Sequence, residues 1–225
     1  MAKRSPISLS RRELLLGGGA VVALHQGSVR AGTAAPRVAR RFDTERFVED
    51  CRAALASGSD AQGHIQDLLT RELANRGAVL AGLGPPTKGG LKALHRSPEL
   101  TILNIVWSPL MQLLPHDHNM WALIGIYTGR EDNIFWKRDG ARLGAVSAAA
   151  ISAGDVVPLP GDVIHSVNNP IEKLTGAIHV YGGDFFGVHR SEWDPETLAE
   201  RDWSIAVAVR NFERANARFS ANCVD

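Results

Sequence analysis

The spacing of apolar residues changes period twice along this chain. Between residues 40 and 78 it is helical. Phe47, Val48, Cys51 and Leu55 recur at three- and four-residue steps behind Asp43 or Thr44 as an N-cap. Ser57-Gly58-Ser59-Asp60 interrupts that pattern, and Asp60 caps a second predicted helix carrying Ile65, Leu68, Leu69 and Leu73. His64 lies beside this stripe as a structural or exposed residue. The run from Gly82 to Gly90 holds too many turn formers for regular structure and reads as a loop. From residue 100 the period becomes that of short strands: Leu100 to Trp107, Met120 to Thr128, Asn133 to Lys137, Val146 to Ser152, Asp162 to Val167 and Thr175 to Gly182. Turn residues separate them, including an Asp139-Gly140 hairpin signal. Many short strands without intervening helices predict an antiparallel sandwich or barrel. Beyond residue 190, Asp194-Pro195-Glu196 predicts a helix start with Asp as N-cap and Pro at the first position. Leu198, Ile205, Val207, Phe212 and Ala215 would form its buried side, packed on the outside of the barrel. The chain therefore divides into a helical extension over 40–78, a β barrel over 90–190 and a C-terminal helix over 194–220.

Residues 1–35 stand apart. The whole chain of 225 residues carries a formal charge of +1, but residues 1–31 hold five basic side chains (Lys3, Arg4, Arg11, Arg12, Arg30) against Glu13 alone. The remainder is slightly acidic, which argues against a nucleic-acid-binding surface. Ser10-Arg11-Arg12-Glu13-Leu14-Leu15 resembles the twin-arginine export motif. The apolar run Leu14 to Leu24, diluted by Gly17, Gly18 and Gly19, is too short to span a bilayer. Val29-Arg30-Ala31 offers small residues for cleavage. The resemblance implies export to the periplasm with no membrane anchoring afterwards; the alternative is a basic tail of a cytoplasmic protein. Cys51 and Cys223 have no metal-ligand or redox spacing. They read as a packing residue and a C-terminal thiol, or as a bridge in an oxidising compartment.

The candidate chemistry is carried by histidines. In Pro115-His116-Asp117-His118 two imidazoles at i and i+2 project from one face of a strand. His165, in Pro160-Gly161-Asp162-Val163-Ile164-His165, supplies a third from a distant strand. Three nitrogen ligands make a metal site with open coordination positions, and an open site is a reactive one.

The spacing around these residues resembles the two signatures of the cupins. His116, His118 and Gly129 fit the first, with Ala122 standing where that signature has Glu. Gly154, Pro160, His165 and Asn169 fit the second at every spacing, with Gly161 displaced by one residue. The resemblance implies a mainly β protein: a single cupin (double-stranded β-helix, jelly-roll) barrel with two N-terminal helices and a C-terminal helix. The absent Glu narrows the likeness to the thiol dioxygenases, cysteine dioxygenase and 3-mercaptopropionate dioxygenase, which bind Fe(II) through three histidines. Ile105-Val106-Trp107 and the stretch Trp121 to Glu131 resemble the same family. Ala177-Ile178-His179-Val180-Tyr181 is similar to its Ser-x-His-x-Tyr triad, with Ala177 replacing the serine.

That resemblance implies His116, His118 and His165 as ligands of Fe(2+), with His179 and Tyr181 as the catalytic pair. The activity implied is an oxidoreductase adding both atoms of O2 to a small thiol to give a sulfinic acid. No cysteine follows His118 where animal cysteine dioxygenases carry a cross-linked one. The family's arginine clamp for the substrate carboxylate has no clear counterpart, and Lys88, Lys92 or Arg96 could take its place. A lysine would offer a point charge in place of a planar fork. Two other readings stay open. One is a non-catalytic small-molecule-binding or sensing cupin; the other is a different metal-dependent cupin enzyme, such as an isomerase or a carbon-cleaving dioxygenase, and the triad itself could hold Zn or Ni in place of iron. Trp107, Trp121 and Trp136 are expected in the barrel core. Glu131 is expected as a solvated turn residue, and His189 and Arg190 at the surface of a strand exit.

Overall fold

The computed structural model describes residues 40–140, 142–194 and 196–222. Residues 1–35, expected from the sequence to form an export signal, lie outside the described residues, as do Pro195 and Cys223. Asp43 accepts a hydrogen bond from the Arg46 amide and opens α1 (Thr44–Ala56); Asp60 does the same for Gly63 at α2 (Ala61–Leu73). A third helix, absent from the sequence reading, follows as α3 (Arg76–Leu83), capped by Asn75. Its apolar stripe is short, with only Ala78 and Val79 buried.

Eleven strands follow: β1 (Gly90–Arg96), β2 (Thr101–Trp107), β3 (Gln112–Asp117), β4 (Ala122–Thr128), β5 (Arg130–Asp139), β6 (Arg142–Ser152), β7 (Val156–Leu159), β8 (Ile164–Asn168), β9 (Thr175–Tyr181), β10 (Ser191–Trp193) and β11 (Glu200–Asp202). They form a five-stranded sheet in the order β1-β2-β9-β4-β7 and a six-stranded sheet in the order β11-β10-β3-β8-β5-β6. Every pairing is antiparallel. Apart from the pairs β1–β2, β5–β6 and β10–β11, successive strands cross between the sheets, as in the expected double-stranded β-helix. The described chain is thus mainly β, a single antiparallel barrel with helices added at both ends, as the sequence leads one to expect. The hairpin at Asp139-Gly140 is present, with Asp139 paired to Arg142.

The five-stranded sheet is buried on both sides. On β9, Ala177 and Tyr181 face the barrel lumen, whereas Ile178 and Val180 face the helices. Strands β2 and β4 divide the same way, Ile105 and Ile124 inward, Ile102 and Leu123 outward. Ile65, Leu69 and Leu73 at four-residue steps on α2 cover the outer face, and Cys51 packs in the same cluster. Burial pushes the Cys51 thiol up to about 12, which fits a packing residue. Gly125 allows the close approach of α2: a Cβ there would strike Leu69 and Leu73. Gly129 turns β4 into β5 at φ +81°, a conformation that glycine adopts freely.

The six-stranded sheet has one dry face. Residues of β5 and β6 alternate between buried and exposed near their paired ends, and Val146 is 62% exposed on the outer side. Trp107 is a lumen residue as expected. Trp121 packs half-buried on the helical side, and Trp136 half-buried beside Leu143 and Trp193, donating to Ser166 Oγ.

The last helix differs from the sequence expectation. Asp194 does act as a cap, accepting from the amides of Glu196 and Thr197, but Leu198 at φ +55° ends that turn. Glu200 then pairs with Arg138, and the chain runs as β11 before α4 (Ile205–Asn222) begins. Nor does α4 lie wholly outside the barrel. Ile205 is exposed, while Phe212 enters the lumen cluster and stacks on Trp107 with ring centroids 5.4 Å apart. Among the described residues no helix is long and apolar enough to cross a membrane.

Candidate metal centre

Register builds the triad. His116 on β3 lies directly across from His165 on β8. A register shift between Leu113 and His116 precedes this pair, and such a bulge re-aims the side chains beyond it. His118 sits one residue past the end of β3, followed by Asn119 at φ +52°. All three rings are buried. His118 Nε2 lies 3.2 Å from His116 Nε2 and 3.2 Å from His165 Nε2. Imidazole nitrogens ~2.1 Å from a shared ion sit about 3.0 Å apart at right angles and about 3.4 Å apart at tetrahedral angles. The observed spacing falls between the two, so the three nitrogens fit one ion.

Hydrogen bonds fix which nitrogen faces the centre. His116 Nδ1 donates to the Leu114 carbonyl at 2.9 Å, and His165 Nδ1 donates to Asn133 Oδ1 at 2.6 Å. Each bond leaves the Nε2 lone pair for a metal. His118 Nδ1 is buried without a partner. Burial drives all three rings toward the neutral form that metals require: His116 falls to about 4, and His118 and His165 lie well below the ordinary imidazole value. Among the described residues this is the one cluster of histidines, cysteines or carboxylates that brings ligand atoms together around a point.

The opposite wall comes from the five-stranded sheet. His179 Nδ1 and the Tyr181 hydroxyl are 3.1 Å apart, and the Tyr181 ring stands edge-on to His118 at 5.1 Å between centroids. Ala122 pairs directly with Tyr181 across β4 and β9, and both face the lumen. The small side chain at 122 leaves space for the phenol.

The cavity between these walls measures about 20 Å³, lined by the triad, His179, Tyr181, Trp107, Phe185, Trp203 and Phe212. That is room for an ion or a water.

Two residues beside this site were expected at the surface and are buried. Glu131 is not solvated: it is 0% exposed and accepts from Trp107 Nε1 at 2.6 Å and from Asn133 Nδ2 at 3.0 Å. Extending the β5 alternation back from Asn133 places Glu131 on the inward face, a signal available in the sequence. Arg190 is not a surface residue either. It is 2% exposed, with its guanidinium 3.8 Å from the Phe185 ring centroid and 3.5 Å from that of Trp203. None of its side-chain nitrogens has a hydrogen-bond partner. Burial lowers it to about 10, so it stays charged at neutral pH. Nothing in the local sequence marks it. The three clamp candidates lie elsewhere: Lys88 and Lys92 are exposed, and Arg96 forms a two-pronged pair with Asp184 at 2.8 and 2.9 Å. None of them lines the cavity; Arg190 does not line it either but lies against two residues that do, Phe185 and Trp203. His189 is exposed, as expected, against Asp202.

No family model matches the chain. Similar solved structures include an RmlC-like cupin family protein with a double-stranded β-helix fold from Methanocaldococcus jannaschii. It shares 15% identity at a TM-score of 0.38, over 45% of this chain and 86% of that one. An uncharacterized conserved protein with a double-stranded β-helix domain from Klebsiella pneumoniae shares 12% identity at a TM-score of 0.39, over 52% and 85%. An oxalate decarboxylase variant from Bacillus subtilis shares 18% at 0.37, over 45% and 27%. Likenesses this distant carry no argument about activity. Strand order and register make this an antiparallel double-stranded β-helix barrel, and three imidazoles converge in its lumen at a spacing that fits one ion.

Proposed function

We propose that the protein is an Fe(II)-dependent thiol dioxygenase, converting a small thiol to a sulfinic acid with both atoms of O2. The observation that supports this best is the all-imidazole triad facing Tyr181, with Ala122 where a carboxylate ligand would otherwise stand. Ferrous iron among three neutral imidazoles keeps its full charge, which favours thiolate ligation and leaves positions for O2. The reaction needs no outside reductant, since the sulfur supplies the electrons that O2 takes up.

The protein's own groups then have separate tasks. Tyr181 offers a hydroxyl at the edge of the triad, held by His179. Arg190 is a buried cation without a partner, an expensive arrangement that an anion relieves. We therefore take the substrate to be a thiol that also carries a carboxylate or similar anion. Phe185 and Trp203, both on irregular segments, sandwich Arg190 and line the cavity. They are the side chains a thiol displaces on its way in.

The test is metal analysis of protein purified without oxygen, then O2 uptake and sulfinate detection against a panel of thiols with and without a carboxylate. Uptake is expected with the acidic thiols. Arg190→Met should raise their KM about 10- to 150-fold, as for loss of hydrogen bonds to a charged group, and leave an uncharged thiol unaffected. Iron-loaded protein that consumes no O2 with any small thiol would sink the assignment in favour of a binding or sensing role.

A further inference from the structure

A chain of hydrogen-bonding groups crosses the barrel from one sheet to the other, and its centre is Glu131. His165 Nδ1 meets Asn133 Oδ1 at 2.6 Å, Asn133 Nδ2 meets Glu131 Oε1 at 3.0 Å, and Trp107 Nε1 meets Glu131 Oε2 at 2.6 Å. His179 Nε2 stands 3.5 Å from the same Oε2, an ion-pair distance short of a formed hydrogen bond, and is otherwise buried without a polar partner. His179 Nδ1 then meets Tyr181 at 3.1 Å. Ala177, fully buried on the same strand, has no hydroxyl to offer His179.

We infer that Glu131 is the positioning residue that sets the direction of every hydrogen bond in this chain, holding His179 in place of a serine. The argument is one of donors and acceptors. An indole nitrogen can only donate, and a carboxylate can only accept. Asn133 must therefore turn its amide nitrogen toward Glu131 and its oxygen toward His165. That orientation demands the proton of His165 on Nδ1 and frees Nε2 for a metal. On the other side, the same carboxylate draws the His179 proton to Nε2. His179 Nδ1 becomes an acceptor, and the Tyr181 O–H donates to it. The phenol oxygen thus turns its lone pairs to the cavity, ready to accept a hydrogen bond from a bound thiol or its substituent. One buried carboxylate orders both a metal ligand and the phenol, on opposite sheets.

The role in turnover rests on the proposed thiol dioxygenase reading, but the proton placement does not, and the experiment keeps them apart. Histidine ring ¹⁵N spectra of the zinc-loaded, full-length protein report the tautomers directly. His179 is expected with its proton on Nε2 and His165 with its proton on Nδ1. In Glu131→Gln the added amide donor faces Asn133 or His179. We expect the His179 proton to move to Nδ1, or zinc affinity to fall ten- to hundredfold through a turned Asn133, with the barrel still folded by circular dichroism. Trp107→Phe keeps the carboxylate and should keep both tautomers. Should Glu131→Gln fail to fold, the wild-type and Trp107→Phe spectra decide. Wild-type His179 protonated on Nδ1 overturns the inference, and so does a folded Glu131→Gln protein with unchanged tautomers and affinity. Absence of O2 uptake in the wild type would sink the proposed activity and leave this assignment standing.

Discussion

The two sheets of the barrel divide the work unequally. The five-stranded sheet is dry on both faces, held between the lumen and α1–α3, and it gives the lumen mostly hydrocarbon plus His179 and Tyr181. The six-stranded sheet is dry on one face only, and it carries His116, His118, His165, Asn133, Glu131 and Arg190. The ligands sit on the less covered sheet, and the covered sheet acts as a rigid back wall for the phenol. Stability and chemistry should therefore respond to different residues.

The largest break should come at the triad. His118→Ala is expected to abolish stoichiometric metal while leaving the far-ultraviolet circular dichroism unchanged, read by metal analysis of the purified variant. Retention of a full equivalent of iron would show that the ligands are others. Next in size is the back wall. Leu69→Ala should cost about 2–5 kcal/mol in urea unfolding, as for a buried leucine that leaves a cavity, with metal content unchanged. The matching change on the bare face, Val146→Thr, should stay within about 0.5 kcal/mol. Equal losses at the two positions would erase the contrast between the sheets.

Tyr181→Phe tests the back wall's one chemical contribution. Metal and thiol binding should persist, and turnover should fall roughly 10²–10³-fold, the usual worth of a preorganised hydrogen bond (about 2.7–4 kcal/mol). Unchanged turnover would take the phenol out of the reaction.

A test that touches the triad without mutation is one of acid. In the metal-free protein the triad is held neutral below its ordinary range, His116 down to about 4, chiefly by burial. The unfolded chain then binds more protons than the folded one as pH falls below ~6.5. Folding stability contributed by each ring is present above that pH and is lost as pH falls, down to about 4 for His116, at up to about 1.4 kcal/mol per pH unit for each proton. Urea unfolding of the metal-free protein at stepped pH should show this slope, and His118→Ala should show less of it. A flat profile between pH 6.5 and 4 would contradict it.

How much of this was legible in the sequence follows the same division. The triad could be read because its residues are rare, spaced by motif and framed by Gly129, Gly154, Pro160 and Asn169. The central strands of the covered sheet, β2, β4 and β9, could be read from their continuous apolar runs, whereas β1, with Lys92, His95 and Arg96 among its seven residues, could not. Short β7, β10 and β11 were invisible, since three or four residues carry no period. Helix α4 was drawn too early because Asp194 and Glu196 make a true cap, yet Leu198 turns the chain away before a helix can follow. Arg190 and Glu131 both read as solvated because a lone charged residue usually is; the β5 alternation marks Glu131 as inward, whereas only neighbours distant in sequence, Phe185 and Trp203, bury Arg190. Lys88, Lys92 and Arg96 were attractive by place in the chain and are excluded by place in space.

The pairing of Ala122 with Tyr181 has a consequence of the kind met in seating plans. Opposed inward positions on neighbouring antiparallel strands share one volume, with Cβ atoms about 4.5–5.5 Å apart. At this point of the barrel wall that volume admits one large polar group. A carboxylate ligand at 122 and a phenol at 181 are therefore competing tenants. A barrel that lodges the phenol gives up the fourth protein ligand by geometry alone, and with it gains an open coordination position. Ala122→Glu would reverse the lease, adding a carboxylate near the triad while pushing Tyr181 from its place beside His118.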